Sequence, residues 1–301
     1  MKITATLIKR NVKLFFKDKG MFFTSLITPV ILLVLYTTFL KNVYRDSFIA
    51  GLPMGVSIDG ELVDALVRGQ LTSSILAVSC VTVAFGSNFL MVQDRATGVA
   101  RDLLISPVNQ GTLSLCYYIS SLASTAIIAF SAAGLCLVYQ AIAGWYFSVV
   151  DVLLILFDVL LLILFGTAVS SVINRFLSTQ GQIAAVGTIV SSGYGFISGA
   201  YMPISSFGKG IQGAVKLLPG TYGTSLLRKH STSAVFEKMN ASGIDSDVTK
   251  SMADAIDANL YLGDYAFTEP IMYLILGGAT LIFIGAYVFI SYARRNKTKK
   301  D

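Results

Sequence analysis

The sequence predicts an all-α integral membrane protein, and two observations support that prediction. Hydrophobic residues make up 54% of the 301 residues, charged residues only 13%, and the mean hydropathy is +0.70. A soluble domain carries about 25% charged residues. The apolar runs are also continuous rather than alternating, so we expect helices, which pair their own backbone groups, and no transmembrane β-barrel.

Six apolar runs are long enough to cross a hydrocarbon core of about 30 Å, which takes about 20 helical residues. They lie near residues 22–40, 74–92, 113–139, 149–173, 183–202 and 271–292. We therefore predict a six-span transmembrane domain over residues 21–301. No small-residue cleavage site follows the first run, so we expect it to remain in the mature chain. Three cysteines, an odd number, fall inside predicted spans, and we expect buried thiols rather than disulfides.

Residues 1–20 form a basic segment with apolar residues on one side and lysines among the polar positions. This pattern predicts an amphipathic helix in the membrane interface. Such a helix can serve as a simple topology anchor or can also contact a cytoplasmic partner, and the sequence leaves both roles open.

The distribution of charge predicts the orientation in the membrane. With six spans both termini lie on one side, and the loops of that side hold 14 basic and 4 acidic residues, a net charge of +10. The loops of the opposite side hold 9 basic and 11 acidic residues. Because cytoplasmic loops carry the excess of Lys and Arg, we expect a multi-pass plasma-membrane protein with both termini in the cytoplasm. Anionic lipid accounts for the basic pI of about 9.1, so we expect no nucleic-acid partner.

The predicted external segment, residues 203–269, divides into two parts. The first, "PISSFGKGIQGAVKLLPGTYGTSLLRK", is amphiphilic and interrupted by Pro203, Pro219 and several glycines, which predicts a re-entrant or interfacial helical hairpin. The second part, about residues 231–266, is polar and contains one short predicted helix. We expect it to form a small external cap.

The sequence argues against an enzyme. The only histidine, His230, is predicted in an external loop with no cysteine near it in sequence, so a metal site or a Ser/His pair is hard to assemble. The only Gly-Lys pair, Gly208-Lys209, lacks the Ser or Thr of a phosphate-binding loop. We therefore expect no cofactor in this chain, and any ATP hydrolysis in a separate polypeptide.

Asp158 stands about nine residues into the fourth predicted span, or roughly 13 Å, near the middle of the bilayer. A charge at that depth costs at least about 2.5–3.5 kcal/mol, so an acid there is a functional hypothesis. One interpretation is proton coupling, which would make the chain a proton-coupled secondary transporter. The other is a protonated acid that hydrogen-bonds a Ser or Thr of a neighbouring span. No Lys or Arg is predicted inside the membrane to pair with it.

The segment "QDRATGVARDLLISPV", residues 93–108, is a charged, helix-capable loop between two spans. An apolar Leu-Leu pair outside the bilayer predicts a groove on a soluble partner, since water would otherwise surround it. A glycine allows a tight bend, and the Ser-Pro pair ends the helix. The candidate partner-contacting residues are Asp94, Arg95, Gly98, Arg101, Leu103, Leu104, Ser106 and Pro107.

This arrangement resembles the inner loop of the type-2 family of ABC exporter permeases, in which an acid, a Gly four positions on, a Leu-Leu pair and Ser/Thr-Pro follow the second span. The family usually has Glu and Gly-Thr where this chain has Asp94 and Gly98-Val99. A second match is "ISGAYMPISSF" followed by "LLPGTYGTSLLRK", which is similar to the family's fifth-span exit and re-entrant external helices. The resemblance covers essentially the whole chain.

The resemblance implies a permease that moves an amphipathic or hydrophobic substrate (a drug, a peptide or a lipid-like molecule) outward. Two cytoplasmic ATPase subunits would bind ATP and Mg and contact the loop 93–108, and a second permease copy or a paralogue would complete the pore. The first, second and fifth spans would line the path, although their aromatic residues can equally face lipid or pack in the core. The candidate path residues are Phe22, Phe23, Tyr36, Phe85, Asn88, Phe89, Tyr194, Phe196 and Tyr201.

Overall fold

The computed structural model describes residues 2–50, 58–106, 108–263 and 265–297, and helices account for 84% of the residues. The predicted all-α fold class is confirmed. Within the described residues, five helical segments are long and apolar enough to cross a membrane. These are Lys19–Asp46, Gly60–Ala96, Gln110–Ala143, Val149–Asn174 and Glu269–Tyr292.

Twelve α-helices are found in the described residues. They are α1 (Lys2–Lys17), α2 (Lys19–Leu35), α3 (Lys41–Ala50), α4 (Gly60–Ala96), α5 (Val99–Ile105), α6 (Gln110–Ala143), α7 (Val149–Asn174), α8 (Gln180–Ile197), α9 (Lys209–Lys216), α10 (Pro219–Ala241), α11 (Ser246–Ala255) and α12 (Glu269–Lys297). A 3₁₀ turn covers Ile204–Ser206, and two short antiparallel strands, β1 (Tyr261–Leu262) and β2 (Tyr265–Ala266), form a hairpin. The predicted fifth span, residues 183–202, falls on α8, which is 18 residues long and is not among the five long apolar segments.

The first apolar segment is not a regular α-helix throughout. Asp18 separates α1 from α2 and caps α2, since its carboxylate accepts a hydrogen bond from the Met21 amide at 3.1 Å. At its far end α2 passes through a five-residue π-helical stretch, Tyr36–Leu40, into α3. The first segment is therefore one continuous helix with a local irregularity, and it extends to Ala50, beyond the predicted span 22–40.

Helix α4 is the centre of the bundle. It has 37 residues, or about 55 Å at 1.5 Å per residue, and begins well before the predicted span 74–92. Nearly all of it is buried, against α2, α6, α7, α8 and α10. Glycines allow this close packing, because a Cβ at Gly69 would collide with the Ser231 carbonyl of α10, and one at Gly166 of α7 would lie 3.0 Å from the Val81 Cα. Small residues at helix contacts are typical of membrane bundles.

Helix α10 packs against α4, α7 and α12, so His230 lies on a buried helix and not in the predicted loop. The helix begins with Pro219 at its first position, a favoured place for proline. The neighbouring Gly220 lies against Tyr194 and Phe165, well along α7, whereas Ser233 hydrogen-bonds Asp151 near the start of α7. Helix α10 therefore runs antiparallel to α7, from deep in the bundle outward. Its sequence has no long apolar run because protein, rather than lipid, surrounds much of it.

The bundle has two distinct ends. One end, called the α5 end, contains α5, the last turn of α7 and the starts of α6 and α8, with α1 packed beside α6; it is the end predicted to be cytoplasmic. The other, called the cap end, contains α11 and the β-hairpin. The single short helix predicted for the polar part of residues 231–266 is present as α11, but α10 extends through the first part of that segment to Ala241.

Candidate coupling surface and transport groove

Helix α5 is attached to α4 by a sharp turn at Gly98. Gly98 has φ +86°, in the left-handed region that glycine adopts without strain. Open space surrounds the position where a Cβ would be, so the backbone conformation rather than crowding favours glycine. The helix ends where the Ser106 hydroxyl donates to the Leu103 carbonyl at 2.6 Å. Pro107 lies outside the described residues.

The apolar residues exposed on α5 are shifted by one position from the prediction. Leu103 is half-buried and packs against a cluster of the chain's own residues that includes Leu7 and Met91. Leu104 is 41% exposed and Ile105 is 86% exposed. Leu104 and Ile105, called the α5 apolar pair below, are therefore the side chains that α5 presents to its surroundings, with the charged Arg101 and Asp102 exposed beside them.

Asp94 and Arg95 hold the α5 end together. The buried Asp94 carboxylate accepts a hydrogen bond from Arg10 of α1 at 2.7 Å and one from the Tyr117 hydroxyl of α6 at 2.6 Å. Arg95 donates to the carbonyl oxygens of Arg175 and Leu177 at 3.0 and 2.9 Å. These two motif residues therefore bind α1, α6 and the end of α7 to α4. Sequence analysis missed Arg10 and Tyr117, because nothing in the local sequence pairs them with an acid 84 and 23 residues away.

A groove of about 1030 Å³ lies between α2, α4 and α8. These helices correspond to the first, second and fifth predicted spans. The walls are mainly apolar, and the Thr28 hydroxyl of α2 donates to the Ser191 carbonyl of α8 at 3.4 Å. Four of the nine candidate path residues line the groove: Phe85, Phe89, Phe196 and Tyr201.

The other five candidate path residues lie outside the groove lining. Phe22 packs in an aromatic group with Phe15 and Phe16, and Phe23 is exposed. The remaining three have contacts inside the chain: the buried Tyr36 donates to the Ala200 carbonyl, the buried Asn88 donates to Ser170 and Ser171 of α7, and the half-buried Tyr194 lies against Gly220.

Asp158 has a histidine partner, which the sequence did not predict. One Asp158 oxygen lies 2.6 Å from His230 Nδ1, and the other accepts a hydrogen bond from the Tyr273 hydroxyl at 2.8 Å. His230 Nε2 lies 3.7 Å from Glu269, which also pairs with Lys229 at 2.8 Å. Glu269 is the first residue of α12, so this cluster lies toward the cap end of the bundle.

Asp158 and Glu269 also shift the pKa of His230. Burial disfavours the imidazolium, but the hydrogen bond and charge of Asp158, together with Glu269, outweigh burial and raise the pKa of His230. No signal for this pairing was present in the sequence, although α10 carries small residues at helical spacing, including Gly220, Gly223 and Ser231, a pattern typical of packed helices.

Arg228, two residues before His230 on α10, is 1% exposed and joins four elements. It donates to the carbonyl oxygens of Ile256 at 2.5 Å and Gly199 at 2.9 Å and to the Ser74 hydroxyl at 3.3 Å. It also lies 3.7 Å from Asp257. Burial raises the pKa of Asp257, and the arginine charge opposes that rise. Arg228 therefore fixes α10 to α4, to the exit of α8 and to the cap.

The structure is an apolar helical bundle with a groove between three helices and an apolar pair exposed on a short helix at one end, as expected of a membrane transport component. The family model of the ABC-2 type transporter matches residues 3–230, about three quarters of the chain. The chain belongs to this family. It is a permease subunit of an ABC transporter system, a membrane component that is not itself catalytic and whose system includes an ATPase. The comparison with curated proteins finds no match.

Removing the charge of Arg10 is expected to release α1. Arg10→Gln leaves the buried Asp94 carboxylate without its cation, and we expect a loss of about 1–3 kcal/mol in the free energy of unfolding. Hydrogen exchange of the α1 backbone amides should become faster. Lys9→Gln is the matched control, because it removes the same charge from the neighbouring exposed residue. Equal exchange rates in the two variants would contradict the proposed contact.

Breaking the Asp158 cluster is expected to loosen α10. His230→Ala leaves the Asp158 carboxylate buried without its main partner, so we expect a loss of about 3 kcal/mol or more, measured by thermal unfolding in detergent. Asp158→Asn should also destabilise the protein. The double variant should lose less than the sum of the two single losses, because the residues interact. Asp46→Asn, at an exposed acid, is the control and should leave the melting temperature unchanged.

Proposed function

We propose that this chain is the transmembrane permease of an ATP-driven exporter, which moves an amphipathic or hydrophobic substrate such as a drug, a peptide or a lipid-like molecule outward. The family supplies the class of protein. The observation that carries the coupling mechanism is the α5 apolar pair, Leu104 and Ile105, exposed at one end of the bundle. ATP and Mg would be bound by the separate ATPase.

In this proposal, α5 is the coupling helix. An exposed Leu-Ile pair outside the bilayer is stabilised when a groove of a soluble partner buries it. Gly98 and the Asp94 and Arg95 contacts fix the position of α5 relative to α4, α6 and α7. When two ATPase subunits move on ATP binding, α5 would therefore transmit that movement to the spans as a rigid-body displacement.

We propose that α8 is the sixth crossing and that both termini are cytoplasmic, in the plasma membrane. An 18-residue helix extends about 27 Å, close to the thickness of the hydrocarbon core. Its low apolar content follows if one face lines a groove, because Thr188, Ser191 and Ser192 are groove residues. The 3₁₀ turn, α9 and the deep start of α10 would then form the re-entrant hairpin.

The groove between α2, α4 and α8 is the proposed substrate path. Its volume of about 1030 Å³ is at the upper end of the range of small-molecule sites, and its walls are mainly apolar with a few hydroxyl groups. These properties suit an amphipathic molecule better than a sugar or an ion.

A second permease copy, identical or a paralogue, would complete the path. Exposed apolar side chains on α2, such as Ile27, Ile31 and Leu35, line the rim of the groove, and Phe196 of α8 is exposed beside it. A second copy packed on α2 and α8 would enclose the groove between the two subunits.

The proton-coupled alternative has less support. Asp158 interacts with His230 and Tyr273 at hydrogen-bond distance, and these contacts join α7 to α10 and α12. A role in holding the re-entrant helix explains the acid without proton transport. In addition, Asp158 is not among the residues that line the groove.

Adding charge to the α5 apolar pair should abolish ATPase binding. The variant Leu104→Asp/Ile105→Asp is expected to insert in the membrane normally but to lose the ATPase on co-purification, because carboxylates cannot be buried in an apolar groove without a large cost. Phe176→Asp is the matched control, since Phe176 is also an exposed apolar residue at the α5 end. Normal recovery of the ATPase with the double variant would refute the coupling role.

Filling the groove should reduce transport without affecting insertion. A Cβ at Gly187 lies 3.4 Å from the Phe89 ring, so Gly187→Leu places a side chain in the groove. We expect a several-fold lower rate of ATP-dependent dye uptake into inside-out vesicles that contain the permease and its ATPase. Ala185→Leu, on an exposed part of the same helix outside the groove lining, should transport normally. Equal rates for both variants would place the path elsewhere.

A further inference from the structure

The described lining of the groove between α2, α4 and α8 carries hydrogen-bonding groups but no charged side chain. None of the described residues that line it is Asp, Glu, Lys, Arg or His. Its polar side chains are the hydroxyls of Ser, Thr and Tyr201 and the carboxamides of Gln93 and Gln180. An ion that entered this mainly apolar groove would lose its water without gaining an opposite charge, which is unfavourable. The lining therefore selects against charged molecules.

Most hydroxyls of the groove already donate their only proton to a backbone carbonyl. The Thr188 hydroxyl of α8, for example, donates to the Ala184 carbonyl at 2.9 Å. The lining residues that do so are Thr24, Ser25, Thr28, Thr82, Thr188 and Ser192. Because a hydroxyl has one proton but two lone pairs, each of these oxygens can still accept a hydrogen bond. These hydroxyls therefore offer acceptors to a molecule in the groove.

The two carboxamides lie at one end of the groove. Gln180 is the first residue of α8 and Gln93 belongs to the last turn of α4, so both lie at the α5 end. Toward the opposite end the lining includes Phe196, Tyr201 and Met202. A molecule with a polar head and an apolar tail therefore fits along the groove with its head at the α5 end.

We propose that the groove takes uncharged amphiphiles that donate hydrogen bonds through hydroxyl or amide N–H groups, and that it discriminates against cations and anions. A donor group meets acceptors without breaking a hydrogen bond of the helices. An acceptor group would have to displace one of the Ser or Thr contacts, and the lost hydrogen bond would offset the one gained. The proposal rests on the groove being the substrate path, and it narrows the substrate to one chemical class.

The test measures binding of four fluorescent probes to the full-length permease in lipid nanodiscs. Each probe carries nitrobenzoxadiazole on the same dodecyl chain, which ends in a hydroxyl, a methyl ether, an ammonium or a carboxylate group. Groove binding is the part of the binding that Gly187→Leu removes. We expect the hydroxyl probe to bind about fivefold more tightly than the ether probe, the effect of one neutral hydrogen bond. It should bind at least about tenfold more tightly than either charged probe, because the groove offers no counter-charge.

Variants of α8 assign the selectivity to the groove. Thr188→Val keeps the shape of the side chain but removes the acceptor, and it should reduce the preference for the hydroxyl probe over the ether probe. Thr188→Asp places a carboxylate in the groove and should make the ammonium probe bind more tightly than the hydroxyl probe. Ala185→Asp is the matched control, because the exposed Ala185 lies outside the groove lining, and it should keep the native order of affinities.

The outcomes separate this inference from the proposed path. If Gly187→Leu leaves the binding of every probe unchanged, the groove is not the path and both proposals are overturned. If Gly187→Leu weakens binding but a charged probe binds to the native protein as tightly as the hydroxyl probe, the path is supported and the selectivity is overturned. Equal groove binding of the hydroxyl and ether probes would overturn the preference for donors.

Discussion

The structure depends on the burial of α4, a helix that packs along α2, α6, α7, α8 and α10 and whose polar groups must therefore find partners inside the protein. Water and lipid are excluded along almost its whole length. Asn88 donates to Ser170 and Ser171, and Ser87 lies within hydrogen-bond distance of Ser121 and Thr125. Because an unpaired polar group in such surroundings costs several kcal/mol, these contacts fix the rotation of α4 against α6 and α7.

Charged residues hold α1 and α10 against the rest of the bundle. At the α5 end, Asp94 binds Arg10 and keeps α1 against the bundle. Toward the cap end, Asp158 binds His230, and Arg228 joins α10 to the loop after α8. The interaction energy of a buried ion pair depends strongly on geometry, because the attraction weakens when the two charged groups move apart. Both pairs therefore specify a single arrangement of α1 and α10, and the proposed coupling helix sits on a rigid base.

The candidate site was partly predictable. The bend at Gly98, the short helix after it and the groove formed by the first, second and fifth predicted spans follow from local sequence and from the family resemblance. The difference in burial between Leu103 and Leu104 did not follow from the sequence. A seven-residue helix is too short to show a periodicity that identifies its buried side. Likewise, the sequence did not show which aromatic residues of the spans line the groove, because apolar residues are equally suited to lipid contact, the protein core and an apolar groove.

The sequence by itself determined the helical membrane class, the positions of most apolar helices and the placement of a charged helix between the second and third spans, because hydrophobic length and turn residues are local properties. Only the tertiary structure decided that His230 meets Asp158, that Asp94 is a buried anchor and that α10 lies inside the bundle. These are long-range contacts, and α10 has the polar composition of an exposed segment. The composition of a helix shows whether it can face lipid. The residues that it contacts within the protein depend on packing across the whole chain.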